Sequence, residues 1–331
     1  MYKDFLRREN MEVFGLVLNQ MLMMFSLILV GFALRKTKIL PDNADKTFSR
    51  LETYVLVPAL NFFNQLTNCS AETLSKNLRL TLYGGGVFIA GLILAQPLAA
   101  LFVRKPGNNS DLLYQRNIYR YAMSFSNYGF IGNFLVLGLW GQEGLFRYTL
   151  FCFIITIFCN SWGLFILIPK GSGTLGQALL KGFTAPPLIA LAAGCIGGLI
   201  GAKTYMPEFL LSALESAGGC MGPVAMILAG FVIGGYEIKG LITDKKVYLA
   251  SLLRLVAIPA AMLFVLHLLG VEKEIMAFIL VAFASPLGLN TIVYPAAYGG
   301  DTRTGAAMAL ISNTLGVITI PLMYYLFIVA L

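Results

Sequence analysis

The stretch SNYGFIGN at residues 126–133 lies inside an apolar run that is long enough to cross a membrane as one helix. Gly129 and Gly132 weaken a helix at this point because glycine has the greatest backbone freedom to lose. Asn127 and Asn133 add polar groups that are costly in hydrocarbon unless they are hydrogen-bonded. The stretch therefore predicts a helix that is broken near the middle of the membrane.

The remainder of the chain also indicates a membrane protein. Of its 331 residues, 58% are hydrophobic and 12% are charged, whereas soluble domains carry about 25% charged residues. Uncharged runs of about 20 residues predict spanning helices. Nine such runs are uninterrupted, at 13–34, 53–71, 80–103, 121–142, 148–169, 182–202, 216–236, 275–300 and 304–331. A tenth run, 247–271, is broken only by Arg254. We predict an all-α polytopic membrane protein with ten transmembrane helices.

The distribution of Lys and Arg predicts the orientation of these spans. The odd-numbered linkers carry more of these residues than the even-numbered ones, and cytoplasmic loops are the ones enriched in them. We therefore expect a multi-pass protein of the cytoplasmic (plasma) membrane with both termini outside the cytoplasm. Because the basic linkers account for the net charge of +8, that charge does not indicate nucleic acid as a partner.

The chain contains signs of an internal repeat. Asn290 follows Asn127 by 163 residues, and Glu215 follows Glu52 by the same distance. A unit of five helices is odd, so a second copy must enter the membrane in the opposite orientation, as in many secondary transporters. We predict an N-terminal arm at 1–12, a first five-helix repeat at 13–169, a cytoplasmic linker at 170–181 and a second repeat at 182–331.

The second copy of the interrupted stretch reads SPLGLNT at residues 285–291. Pro286 removes a backbone donor from helix 9, as the glycines weaken helix 4, and freed backbone groups are tolerated at this depth only beside protein or a water-lined cavity. Helices that restart there direct N-terminal amides at a common point, which favours an anion. The alternative is that these residues serve only packing and a kink. Because both stretches occur at one offset, we favour a binding site.

These residues resemble the auxin efflux carrier family of ten-helix membrane transport proteins. The resemblance runs from Met11 through VPALNF at 57–62, the stretch at 126–132, Gly222-Pro223, Ser285-Pro286 with Asn290, and Ser312-Asn313. It implies two inverted five-helix repeats related in fold to bile-acid/sodium symporters, with scaffold and transport domains interleaved across both repeats. It also implies an elevator mechanism and a carboxylate substrate held where broken helices 4 and 9 cross. Phe134 stands where the family usually has proline.

The site residues that we predict combine the two interrupted stretches with one helix-2 residue. They are Asn127, Gly129, Gly132, Asn133, Ser285, Pro286, Asn290, Thr291 and Asn61. Asn61 could instead bond across helices, as polar residues in membrane bundles often do. Neither a metal site nor a cofactor is predicted, because the five cysteines lack metal-binding spacing and suit small core positions. A coupling ion, proton or sodium, is left open.

Few ionisable groups lie within the spans, where a charge is costly. Arg254 is the exception, and we expect its long side chain to reach the interface and anchor the helix there. Glu52 and Glu215 lie at span edges, where a solvated carboxylate costs little, but their matching positions suit a gating or proton-linked role. His267 is expected to pack or to lie at the interface rather than to relay protons.

The composition and the repeat together favour a secondary active or facilitative transporter of a small organic anion. Its partners would be that anion and the lipid bilayer, and a homodimer is left open. A channel or a ligand-binding sensor is the alternative. A membrane-embedded enzyme is less favoured, because the spans contain one histidine and no aspartate, and catalysis needs several converging acid, base or nucleophilic groups.

Overall fold

The computed structural model describes residues 2–104, 106–107, 109–167, 176, 180, 183–298 and 300–330, with the side chains of 2–14, 293 and 296–298 left out. Within these residues the protein is helical, and extended pairing is limited to Ser126 with Leu287. The predicted linker 170–181 lies outside the described residues except at 176 and 180. The predicted arm at 1–12 is helical from Tyr2 and continuous with the first span.

The described residues of the first half form eight α-helices, several of them joined by π-helical turns. They are α1 (Tyr2–Lys36), α2 (Ala44–Leu51), α3 (Val57–Asn68), α4 (Ala71–Phe102), α5 (Ser110–Ser124), α6 (Asn133–Phe151), α7 (Phe153–Phe158) and α8 (Leu164–Leu167). The π-helical turns are Glu52–Leu56 between α2 and α3, Tyr128–Gly132 before α6, and Cys159–Gly163 between α7 and α8.

The second half also combines α-helices with π-helical turns. Its helices are α9 (Pro186–Leu199), α10 (Glu208–Gly234), α11 (Ile238–Ile242), α12 (Lys245–Leu252), α13 (Ile258–Leu268), α14 (Lys273–Ala284), α15 (Asn290–Tyr298) and α16 (Arg303–Tyr324). A short 3₁₀ helix (Ala202–Tyr205) precedes α10, and π-helical turns occur at Leu253–Ala257 and Tyr325–Ala330.

Five helical segments of the described chain are long and apolar enough to span a membrane. They are Gly15–Lys36, Ala71–Phe102, Glu208–Gly234, Lys245–Leu268 and Arg303–Ala330. A sixth arises if α6 and α7, bent by 60° at their junction, are one span. The uncharged runs 121–142 and 275–300 are each divided between two shorter helices. The protein is thus a multi-pass membrane protein, and the full set of ten spans stays a prediction.

Glycines bring α1 and α10 into backbone contact. A Cβ added at Gly31 would lie 2.0 Å from the carbonyl oxygen of Ile227, and one added at Gly230 would lie 1.8 Å from that of Ile28. Membrane helices have no water to drive them together, so small residues that allow close backbone approach are the usual means of packing. This reciprocal contact fixes the first helix of the chain against the second half.

Candidate functional site

Two non-helical segments, 125–127 and 285–289, pair with each other in the interior; we call them the paired segments. The first joins the end of α5 to the π-helical turn Tyr128–Gly132, and the second joins α14 to α15. The backbone N–H of Asn127 donates to the carbonyl oxygen of Pro286 at 2.7 Å. The two interrupted stretches of the sequence therefore meet in space.

Side chains satisfy backbone groups that the missing helical turns leave free. The Ser126 hydroxyl donates to the carbonyl of Ala282, and the Ser312 hydroxyl accepts from the N–H of Leu287 at 3.0 Å. Buried backbone groups are almost always paired in this way. The paired segments are thus a bonded part of the core.

A cavity of about 120 Å³ lies beside the paired segments. This volume is several times what one water molecule requires. Six segments of the chain border it, and none of the described residues that line it is a Lys, Arg or His. The polar residues among them are Ser49, Glu52, Thr53, Asn61, Ser126, Asn127, Tyr128, Asn133, Thr149, Cys152, Thr156, Cys159, Asn160, Asn290 and Tyr294.

The starts of two helices border this cavity. Tyr128 and Gly129 begin the helix that continues into α6, and Leu289 and Asn290 begin α15. The first amides of a helix have no intrahelical partner and carry partial positive charge. In α15 the amides of 291 and 292 bond back to Gly288 and Leu289, so that helix contributes mainly its dipole. The helix at Tyr128 contributes the more open end.

The Asn127 side chain is a further donor. It is 3% exposed, and its amide nitrogen has no hydrogen-bond partner in the described structure. The Asn290 amide, in contrast, donates to the Tyr121 hydroxyl at 2.8 Å and lies 3.4 Å from the Cys159 sulfur. Asn127 is therefore free to bind a ligand, whereas Asn290 is already held in place.

The predicted site residues divide into two groups. Asn61, Asn127, Gly129, Asn133 and Asn290 line the cavity. The other predicted residues do not line the cavity and belong to the structure around it. They are Gly132, Ser285, Pro286 and Thr291. A Cβ at Gly132 would lie 2.4 Å from the Tyr148 hydroxyl, the Ser285 hydroxyl bonds to Val281, and the Thr291 hydroxyl bonds to Gly288.

Phe134, at the position where the family usually has proline, does not enter the cavity lining. It belongs to α6, which continues through it without interruption. Its ring lies against Gly222 of α10, where an added Cβ would come within 2.1 Å of it. The larger side chain is thus matched by a glycine on the facing helix.

A polar stripe that runs from the end of α6 through α7 to the π-helical turn Cys159–Gly163 also lines the cavity and was not predicted from the sequence. Thr149, Cys152, Thr156 and Cys159 are separated by three or four positions, the spacing that puts side chains on one face of a helix. The spacing was readable, but each residue is small enough to suit an apolar core. Cys152 and Cys159 are buried, as expected, and they also border the cavity.

Glu52 and Glu215 differ despite their matching sequence positions. Glu52 lies in a π-helical turn, lines the cavity and is 1% exposed, and neither of its carboxylate oxygens has a hydrogen-bond partner in the described structure. Glu215 lies on α10, away from the cavity, and is exposed. Of the two carboxylates, Glu52 alone could contact a bound molecule.

The prediction that Arg254 reaches the membrane interface is wrong. The side chain is 1% exposed, because it points into the bundle between α5 and α14. Its guanidinium carbon lies 5.2 Å from the centre of the Phe283 ring, and one of its nitrogens donates to the carbonyl of Met123 at 3.4 Å. Met123 and Phe283 are each the second-last residue of their helices, α5 and α14. Arg254 is therefore a buried cation beside two helix ends.

Within the described residues no group of His, Cys, Asp and Glu side chains is arranged to hold a metal ion. The described residues that line the cavity supply amides, hydroxyls, thiols and one carboxyl group. Such a set can bind and orient a small polar molecule.

Comparison with known proteins gives matches along most of the chain. The family described as membrane transport protein matches two successive stretches, residues 16–177 and 173–324. An uncharacterized transporter of Methanocaldococcus jannaschii is 26% identical over 312 residues, which cover 91% of this chain and 96% of that protein. An uncharacterized transporter of Methanothermobacter thermautotrophicus is 29% identical over 234 residues, which cover 70% of this chain and 72% of that protein.

Proposed function

Since the chain belongs to the membrane transport protein family, we propose that it carries a small organic carboxylate across the plasma membrane by alternating access. Its resemblance to the auxin efflux carriers is confirmed by the same match.

One observation carries the proposal. The unpaired Asn127 amide and the starts of two helices border a cavity that contains no Lys, Arg or His among its described lining residues. Donors of this kind hold a carboxylate through hydrogen bonds and helix dipoles, without a buried cation. The geometry supports a binding site beside the paired segments for a small carboxylate.

In the proposed mechanism the substrate carboxylate accepts hydrogen bonds from the Asn127 amide and from the first amides of the helix at Tyr128. Asn290 contributes by holding the Tyr121 hydroxyl beside the site. The polar stripe of α6 and α7 supplies further hydroxyl groups. Because these donors belong to the paired segments and their helices, the substrate and the paired segments would move together.

The proposed architecture is ten spans in two inverted five-helix repeats, with both termini outside the cytoplasm. A transport domain built around the paired segments moves as an elevator against a scaffold. The reciprocal glycine contact of α1 with α10 supports assigning these two helices to one rigid unit. A gating or proton-linked role is kept for Glu52, which lines the cavity, and is dropped for Glu215, which is exposed.

Uptake by proteoliposomes tests the proposal. Radiolabelled short-chain carboxylates should enter with saturable kinetics, and preloading the vesicles with unlabelled substrate should accelerate entry by counterflow. A conductance that does not saturate would instead support a channel. Specific binding without any uptake would support a sensor.

A further inference from the structure

The Glu52 carboxyl group stands out because it is buried without a partner. It is 1% exposed, and the described structure gives neither of its oxygens a hydrogen bond. A buried carboxylate without a donor is costly, because the low dielectric of the interior removes the water that would solvate it. Most buried charges are therefore paired. A donor or cation from outside the chain could form the missing hydrogen bond or ion pair with the Glu52 carboxylate.

The surroundings of Glu52 restrict where that partner can come from. It borders the cavity, where the described lining includes no Lys, Arg or His. The buried cation Arg254 is not part of that lining and contacts Met123 and Phe283 instead. Glu52 also lies in a π-helical turn, a feature that frequently marks functional sites. A cationic partner for its carboxylate is absent from the described lining and would enter the cavity with a bound molecule.

Asn127 lies in the same cavity but lacks an acceptor, whereas Glu52 lacks a donor. Its buried amide is a donor without an acceptor, and the helix that starts at Tyr128 favours negative charge at this end. A plain carboxylate would satisfy Asn127 and leave Glu52 unpaired, with two negative charges in one cavity. A molecule with a carboxylate and an ammonium group satisfies both residues at once.

We infer that the substrate of this site is a small amino acid, whose carboxylate binds Asn127 and whose ammonium group pairs with Glu52. The inference rests on the proposed carboxylate site and narrows its substrate class from organic anions to zwitterions. The cavity volume of about 120 Å³ suits a short chain. Pairing of the ammonium with a desolvated carboxylate supplies the selectivity, since a buried charge that is left without its partner is costly.

Matched pairs of ligands test the inference on the purified full-length protein. Propanoate is compared with 3-aminopropanoate, and butanoate with 4-aminobutanoate, by thermal shift and by binding calorimetry. Each pair has the same carboxylate and differs by the amino group. The aminated member should bind about tenfold more tightly or better, which corresponds to roughly 1.4 kcal/mol.

The variant Glu52→Gln removes the charge with little change of shape. It should abolish the preference for the aminated member and leave the binding of propanoate equal or stronger. Glu215→Gln is the matched control, because it makes the same chemical change at an exposed position away from the cavity. That variant should retain the wild-type preference.

Several results would overturn the inference. Wild-type protein that binds propanoate as tightly as 3-aminopropanoate would indicate a Glu52 that carries a proton beside a plain anion, and the proposed carboxylate carrier would stand. A Glu52→Gln variant that keeps the preference would remove Glu52 from the explanation. If no member of either series binds, the carboxylate site itself is refuted. The wild-type comparison does not depend on whether the variant folds.

Discussion

On one side of the paired segments two helices begin and border a cavity, whereas on the other side two helices end beside Arg254. At the cavity, the Asn127 side-chain amide has no hydrogen-bond partner in the described structure, and a helix starts beside it at Tyr128. At the opposite side, the guanidinium of Arg254 contacts the second-last residues of α5 and α14. The partial charges of helix ends have opposite signs at these two places.

The two sides differ in whether a charged side chain of the protein lies beside the helix ends. Beside the negative ends of α5 and α14 lies a cation that belongs to the protein, the Arg254 guanidinium. At the positive ends the described structure gives the Asn127 amide no acceptor, and the proposed site assigns that role to a bound molecule. Substitutions on the two sides should therefore act differently, and four tests follow from the largest expected effect to the smallest.

Asn127→Ala tests the open side most directly. Loss of its amide removes a hydrogen bond to a charged ligand group, worth about 2 kcal/mol, and should weaken carboxylate binding about 30-fold or more. Detergent stability should persist, because this amide has no partner among the residues that the structure describes. Binding is measured by calorimetry with the tightest ligand of the carboxylate screen. Asn43→Ala, at an exposed position, serves as the control.

Asn290→Ala extends the first test. Its amide positions the Tyr121 hydroxyl, so binding should fall there too, together with a small loss of stability. Wild-type binding in both variants would remove the site from the paired segments.

Arg254→Met tests the closed side. Removal of a buried cation from two helix ends should lower transport by about tenfold or more, since such interactions reach about 2 kcal/mol in partly buried geometry. Arg254→Lys retains the charge and should recover part of the activity. The readout is initial uptake in proteoliposomes, and Arg50→Met at an exposed position is the control. Uptake unchanged in the Met variant would show that the helix ends do not require a cation.

Gly132→Ala sharpens the comparison at the first turn of the helix on the open side. The added methyl would come within 2.4 Å of the Tyr148 hydroxyl, which must shift and lose its bond to the carbonyl of Tyr128. Overpacking of this kind costs about 1–3 kcal/mol. A fall in the detergent melting temperature is expected. Gly219→Ala, with open space around its Cβ, should leave that temperature equal or raise it.

Ser312→Ala tests the support of the second paired segment. Its hydroxyl is the acceptor for the N–H of Leu287, and loss of a buried acceptor should destabilise the protein by about 1 kcal/mol. The melting temperature measures the change. Ser75→Ala at an exposed helix position is the reference, and equal effects of the two substitutions would argue that the segment does not need this support.

The sequence predicted the class of protein and the two stretches that meet. The scarcity of charge is a direct consequence of a lipid environment, so composition was enough to predict a multi-pass helical protein. Asn127 and Pro286 could be singled out because helix-breaking and polar residues are unusual in long apolar runs. Their hydrogen bond could not be derived, since it depends on how two distant segments are brought together.

The errors have a common physical cause in packing. Arg254 was expected at the interface because a long side chain can reach it, but α5 and α14 surround the guanidinium. Glu52 and Glu215 have the same offset as the asparagines, yet one is buried and the other exposed. Burial depends on the neighbouring helices, and a single sequence does not state which helices are neighbours. The stripe that contains Thr149 and Cys152 was missed because small residues also suit a core.

The reciprocal glycine contact between α1 and α10 has a consequence for biosynthesis. Gly31 and Ile227 are separated by almost 200 residues of chain. Ribosomes add about 5–20 residues per second, so the partner of the first helix emerges roughly 10–40 s after that helix has been made. During this interval the glycine face of α1 is in contact with lipid or with the insertion machinery. The contact can form only after α10 (Glu208–Gly234), early in the second half, has been synthesised.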